Sequence, residues 1–176
     1  TTFITGNYSW NHGGGIMSNG DLYLGQPEDT YVYPSLKLKA TKALVNSLTN
    51  QNEDLAENQF TFTVYRKDSD DPFSTGTFNR DACTEVGTAN NDTSGSITFD
   101  LGEQFLASGT TDKLTYYLVE DAGGDSDIEY DPAVYKIEVT VEDHTTVLMS
   151  VPTQSNPNVT KDLKVHNYTI TSVNVT

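Results

Sequence analysis

Three polar side chains stand where the alternation of the chain otherwise places apolar ones. In "LTYYLVEDAGG" (114–124), Leu114, Tyr116, Leu118 and Glu120 share one face of a predicted strand, because successive side chains of a strand point to opposite sides. In "SLKLKATKALVNSL", Lys42 is in register with Leu36, Leu38, Ala40 and Leu44, while Lys37 and Lys39 take the other face. In "KDLKVHNYTI", Asn167 is in register with Leu163 and Val165, opposite Lys164, His166 and Tyr168. An isolated charge is costly to bury, and buried polar groups are expected to satisfy one another. An amine, a carboxyl and a carboxamide can do more than that. Desolvation drives a lysine and a glutamate toward their uncharged forms, and a neutral amine is a nucleophile. A protonated carboxyl can polarise an amide carbonyl and relay protons to departing ammonia. Attack of the Lys42 amine on the Asn167 carboxamide carbon would leave an isopeptide bond. A fixed site has a high effective molarity, so a sluggish amide exchange becomes feasible once per molecule. Glu120 is the expected promoter of this single turnover; the chain is not expected to be an enzyme in any other sense.

The elements that must position these residues read as strands. "QFTFTVYRK" alternates with Phe60, Phe62 and Val64 inward, "GSITFDL" groups Ile97, Phe99 and Leu101, and "AVYKIEVTVED" groups Tyr135, Ile137, Val139 and Val141; "TTVLMSV" and "KDLKVHNYTI" close the series. Between them lie turn-rich segments, including a long acidic loop from Asp68 to Thr93 and "GGDSDIEYDP". Gln51 to Asn58 has room for one short helical turn, and no amphipathic helix is predicted. Strands at this spacing imply an all-β sandwich. Residues 1–34, rich in Gly and Asn with Tyr8, Trp10 and Tyr23 interspersed, read as an irregular N-terminal extension packed on the sandwich, with "DLYLG" as a possible short strand. Residues 35–176 read as the sandwich domain.

Composition narrows the partners. The 176 residues carry a formal charge of −15, so no basic patch is offered to nucleic acid or anionic lipid. No long apolar run is present, so neither a transmembrane helix nor a signal-peptide core is expected here. Cys83 is the single cysteine, which excludes an internal disulfide and reads as a bystander. The acidic segments "DSDDP" and "GGDSDIEYD" lack the spacing of a calcium-binding loop. His12, His144 and His166 are scattered without ligand spacing, so no metal or other cofactor is expected. No nucleophile elbow or phosphate loop points to a hydrolase.

"FTFTVYRKD", "NNDTSGSITFDL", "LTYYLVEDAGG", "IEYDPAVYKIEVTVED" and "LKVHNY" follow one another in the order of streptococcal-type pilin isopeptide-linkage domains. The chain resembles these CnaB-like, immunoglobulin-related β-sandwiches of Gram-positive pilins and surface adhesins from about Leu36 to Tyr168. The most specific stretch is "YDPAVYKIEVTVED" after a Tyr-rich strand ending in Glu. The resemblance implies a first-strand lysine at Lys42, a promoting acid at Glu120 and a last-strand asparagine at Asn167. Asn174, on a face with Ile170 and Ser172, is the alternative partner. "TYVYPS" is similar to the motif whose lysine joins pilin subunits, with Ser35 in the lysine's place; Lys161 is an alternative for that intermolecular link.

The resemblance implies an extracellular structural subunit or adhesin stalk of the cell surface that carries tension without unfolding. Its partners would be other pilus subunits, or cell-wall peptidoglycan through sortase, although no Leu-Pro-x-Thr-Gly signal is present. The alternative is a ligand-binding adhesin domain in which "NYSWNHGGG" or the 68–93 loop contacts host glycan or protein, Trp10 supplying aromatic contact area. A third reading is a secreted calcium-dependent module.

Overall fold

Alternation of small or β-branched residues with aromatic ones builds a sheet whose inner face carries the main cluster of buried apolar side chains. The computed structural model describes residues 28–68, 70–105, 113–153, 155–156 and 158–176. Ten strands follow in chain order: β1 (Thr30–Val32), β2 (Lys37–Thr41), β3 (Leu44–Val45), β4 (Asn52–Glu53), β5 (Thr61–Lys67), β6 (Cys83–Asn90), β7 (Ser96–Asp100), β8 (Lys113–Glu120), β9 (Val134–Pro152) and β10 (Thr160–Val175). Six of them form one sheet in the order β1-β10-β9-β8-β5-β6, and β2-β7 and β3-β4 form two ribbons. The pairings are antiparallel except for β1, which lies parallel to β10. The all-β, CnaB-like class expected from the sequence is the class observed.

The β2–β7 ribbon closes the core. Ile97 and Phe99 of β7, with Leu36 just before β2, join Phe62 and Val64 of β5, Leu114 and Tyr116 of β8, and Ile137, Val139 and Val141 of β9 in one buried cluster. Fully burying side chains of this size contributes about 1.5–3 kcal/mol each. The outer face of β8 is covered as well: Tyr117 packs edge-on to Phe73 at 5.6 Å and against Phe78 at 5.2 Å. These come from the 68–82 segment, which Arg80 pins through a 2.8 Å bridge to Asp121.

Four elements differ from the sequence reading. β6 lies inside the segment read as a loop, because this edge strand is half exposed and its alternation is faint. Asn52–Glu53 is a strand paired with Leu44–Val45 where a helical turn had room. "AVYKIEVTVED" and "TTVLMSV" are one long strand. Residues 30–32 of the supposed irregular extension form β1, clamped by rings: Tyr31 stacks on His166 at 4.7 Å and Tyr33 on Tyr168 at 4.9 Å. Trp10, His12 and "DLYLG" lie outside the described residues.

Candidate functional site

Lys42 follows directly on β2, where the β6–β7 turn grips the backbone. Asp92 organises that turn, accepting hydrogen bonds from the Ser94 and Ser96 N–H groups and from the Ser94 hydroxyl. The Ser94 hydroxyl and then the Ser96 N–H hold the Asp92 carboxyl below its usual range. Gly95 completes the turn at φ +81°, where a Cβ would lie 2.1 Å from the Lys42 carbonyl oxygen. Its own carbonyl accepts the Lys42 N–H at 2.8 Å. The inward parity of Leu36, Leu38 and Ala40 thus carries through to Lys42, whose ammonium rests 4.5 Å from the centre of the Phe60 ring.

Glu120 ends β8 on the inner face, opposite Phe62 of β5. Lys42 Nζ donates to Glu120 Oε2 at 2.8 Å, with the two side chains only 13% and 2% exposed. Glu120 Oε2 also accepts the backbone N–H of Asp131 at 3.1 Å. The other oxygen, Oε1, is buried without a hydrogen-bond partner. Beside this pair opens a cavity of about 580 Å³, bounded by β2, Leu118, Tyr135, Ile137, Val173 and Val175. Among the described residues β2 pairs only with β7, so the strand edge facing the cavity has no strand partner. A buried cation beside an acid with one unpaired oxygen, next to open space, is a site with a place for a third polar group.

The asparagines predicted for that place are elsewhere. The β9–β10 pairing is irregular twice: Leu148 of β9 is passed over opposite Leu163 and Lys164, and Thr171 of β10 is passed over between Ile170 and Ser172; an added residue switches the alternation of the strand that carries it. β10 alternates without interruption up to Ile170, and Tyr168 and Ile170 turn to the core, so the row of Leu163, Val165 and Asn167 takes the other face. Asn167 sits opposite His144, exposed on the outward face. It is seven residues along β9 (144 − 137) from Ile137 at the cavity, about 24 Å. After the bulge at Thr171 Val173 and Val175 face the cavity and Asn174, opposite Glu138, faces outward. The structure therefore brings Lys42 and Glu120 together and corrects the strand register that placed Asn167 or Asn174 beside them. Lys161 is exposed at the far end of the β9–β10 hairpin, opposite Val151.

Sequence reasoning missed Asp131. Its carboxylate accepts the Ala133 N–H at 2.9 Å and the Tyr135 hydroxyl at 2.7 Å. The Tyr135 hydrogen bond, then the Ala133 N–H and the charge of Lys42 hold it below the usual carboxylate range. The same bond to Asp131, then burial, pushes the Tyr135 phenol up. The signal was present in "YDPAVY", which marked the family without revealing a role.

A profile of the Spy0128-like isopeptide containing domain (FctA) matches residues 38–174, which spans β2 to β10 and both Lys42 and Glu120. The chain belongs to this family. It is thus an isopeptide-containing domain of the pilin and adhesin-stalk class, a class of extracellular surface proteins. No curated protein and no solved structure is significantly similar to the chain. Among the described residues of this isopeptide-containing domain, no three His, Cys, Asp or Glu side chains converge as metal ligands, and no helix is long and apolar enough to cross a membrane. Cys83, at the start of β6, is a free, partly buried thiol that burial, then Asp68, pushes up.

Proposed function

We propose that the domain is a tension-bearing module of a pilus shaft or adhesin stalk, locked by an autocatalytic isopeptide bond from Lys42 that Glu120 promotes. The observation that carries this reading is the buried Lys42–Glu120 pair with Glu120 Oε1 unpartnered beside a cavity. In the reaction, Lys42 Nζ bonds to a carboxamide carbon, the bond from that carbon to the amide nitrogen breaks, and ammonia leaves. Glu120 takes the amine's proton, polarises the carbonyl from Oε1 and returns a proton to the leaving nitrogen.

The acceptor amide has to reach the cavity along the free edge of β2 or along the inward row of β10 that Val173 and Val175 define. Asn174 is next to that row. Without the bulge at Thr171 the pairing of Ile170 with Val141 would continue unbroken, and Asn174 would turn inward opposite Ile137. A carboxamide carried further along the inward row, toward Tyr135, meets Lys42 with no change of register. Lys161, at the hairpin end remote from Lys42, is the proposed site of a sortase-made link to a neighbouring subunit.

Intact mass of the full-length protein tests the bond. A loss of one ammonia, abolished by Lys42→Ala and by Glu120→Ala, is expected; an unmodified mass in folded protein overturns the reading. Sequencing of the linked peptide identifies the acceptor, and a Lys42–Asn167 peptide would overturn the observed register. In single-molecule pulling from the termini, the segment between the linked residues should stay folded in wild type and extend in Lys42→Ala.

A further inference from the structure

The "YDPAVY" segment lies over the site without supplying a reacting group. Pro132 restricts Asp131 to extended backbone, which presents the Asp131 N–H to Glu120. The segment is tied at three points. Tyr130 packs edge-on to Phe60, the ring beneath the Lys42 ammonium, at 5.9 Å. Its hydroxyl fills the space where a Cβ on Gly123 would stand, 2.1 Å away. Asp131 binds the Ala133 N–H on one oxygen and the Tyr135 hydroxyl on the other. The outcome of these ties is one hydrogen bond, from Asp131 N–H to Glu120 Oε2.

We propose that Asp131 and Tyr135 are positioning residues: by holding the Asp131 N–H on Glu120 Oε2, they make Oε1 the oxygen that carries the acid's proton and aim that proton into the cavity. The inference rests on the isopeptide reading and adds to it the choice of oxygen. When one proton passes from the Lys42 ammonium to the Glu120 carboxylate, both become neutral and total charge is unchanged. The neutral amine can turn and accept a hydrogen bond, but a backbone N–H can only donate. The hydroxyl oxygen of a carboxylic acid is a poor acceptor, so the oxygen facing that N–H remains the carbonyl. As the Lys42 amine turns from Oε2 toward the incoming amide it delivers its proton to Oε1, where no other group competes for it. There it donates to the incoming amide oxygen and raises the electrophilicity of the carbon that Lys42 attacks. Without the clamp the carboxyl is free to present the wrong oxygen, and only a fraction of molecules is poised to react.

The test follows ammonia loss by intact mass as the unfolded full-length protein refolds, across a series of pH values. Tyr135→Phe should slow the reaction about tenfold, and Asp131→Ala more. Asp131→Asn should fall between wild type and Asp131→Ala, because it keeps an oxygen for the Ala133 N–H. The pH profile of the rate should move with these variants, which a merely structural role would not cause. Melting temperatures in a Lys42→Ala background separate slow chemistry from poor folding. If Asp131→Ala does not fold, Tyr135→Phe decides alone, since it deletes one hydroxyl from a residue that is 41% exposed. Wild-type rate and pH profile in Tyr135→Phe overturn this inference and leave the isopeptide reading standing. A wild-type chain that folds and keeps its ammonia overturns both.

Discussion

Removing one member of the Lys42–Glu120 pair should be worse than removing both. Glu120→Leu leaves the Lys42 ammonium in a site where its side chain is 13% exposed, with the Phe60 ring and the more distant Asp131 carboxylate to face. Breaking a buried pair from one side costs about 3–5 kcal/mol. The aromatic face returns about 0.5–2 kcal/mol, and the adjoining cavity gives the lysine a route toward water. A net loss of about 2–3 kcal/mol remains for the unpaired cation. The orphaned Asp131 N–H adds about 1–2 kcal/mol, and that part is common to Glu120→Leu and to Lys42→Met/Glu120→Leu. Lys42→Met alone leaves the Glu120 carboxylate, 2% exposed, with one backbone donor. The double variant carries neither charge and should exceed each single variant by about 2–3 kcal/mol, or roughly 5–10 °C in Tm for a chain of this length. None of the three can form the proposed bond, so the ordering is independent of cross-linking. Urea and thermal melts followed by circular dichroism at neutral pH measure it. Single variants as stable as the double would refute the claim that the two charges are buried together and depend on one another.

Gly95→Ala should destabilise by more than about 2 kcal/mol, since it adds a strained positive φ to a contact with the Lys42 carbonyl; a denaturant midpoint close to wild type counts against the turn as the anchor of Lys42. Asn91→Ala should cost about 2–4 kcal/mol with the m-value unchanged, because the buried amide accepts the Phe60 N–H and donates to the Ala56 and Asp92 carbonyls. Asp131 contributes stability above its unfolded value of 3.8 that is lost as pH falls through its lower folded value, chiefly through the Tyr135 bond. Tyr135→Phe should therefore flatten the acid limb of stability below about pH 4, and an unchanged limb would mean that the bond does not hold the carboxylate.

The alternation of β5, β7, β8 and the first half of β9 was legible because each of these strands has one face in a dry core, and period-two patterning is the direct imprint of that burial. Lys42 and Glu120 stood out for the same reason: an ionisable group on an apolar row breaks the pattern only when something across the core answers it. The clean parity of "LKVHNY" was misleading. Residues passed over in the pairing, Leu148 in β9 and Thr171 in β10, shift the register without leaving any mark in the spacing of apolar side chains. β10 is also half exposed, so several residues there are compatible with either face. β6 was invisible because an edge strand beside an acidic excursion has no strong need for alternation. Asp131 could be seen as part of a recurring segment, but its role depends on a backbone N–H, which every residue except proline possesses and which no residue type announces. Residue types determined the class of fold and two members of the site. The bulges, the turn at Gly95 and the loop over Glu120 are long-range choices of register and backbone direction, and only packing of the whole sheet decides them.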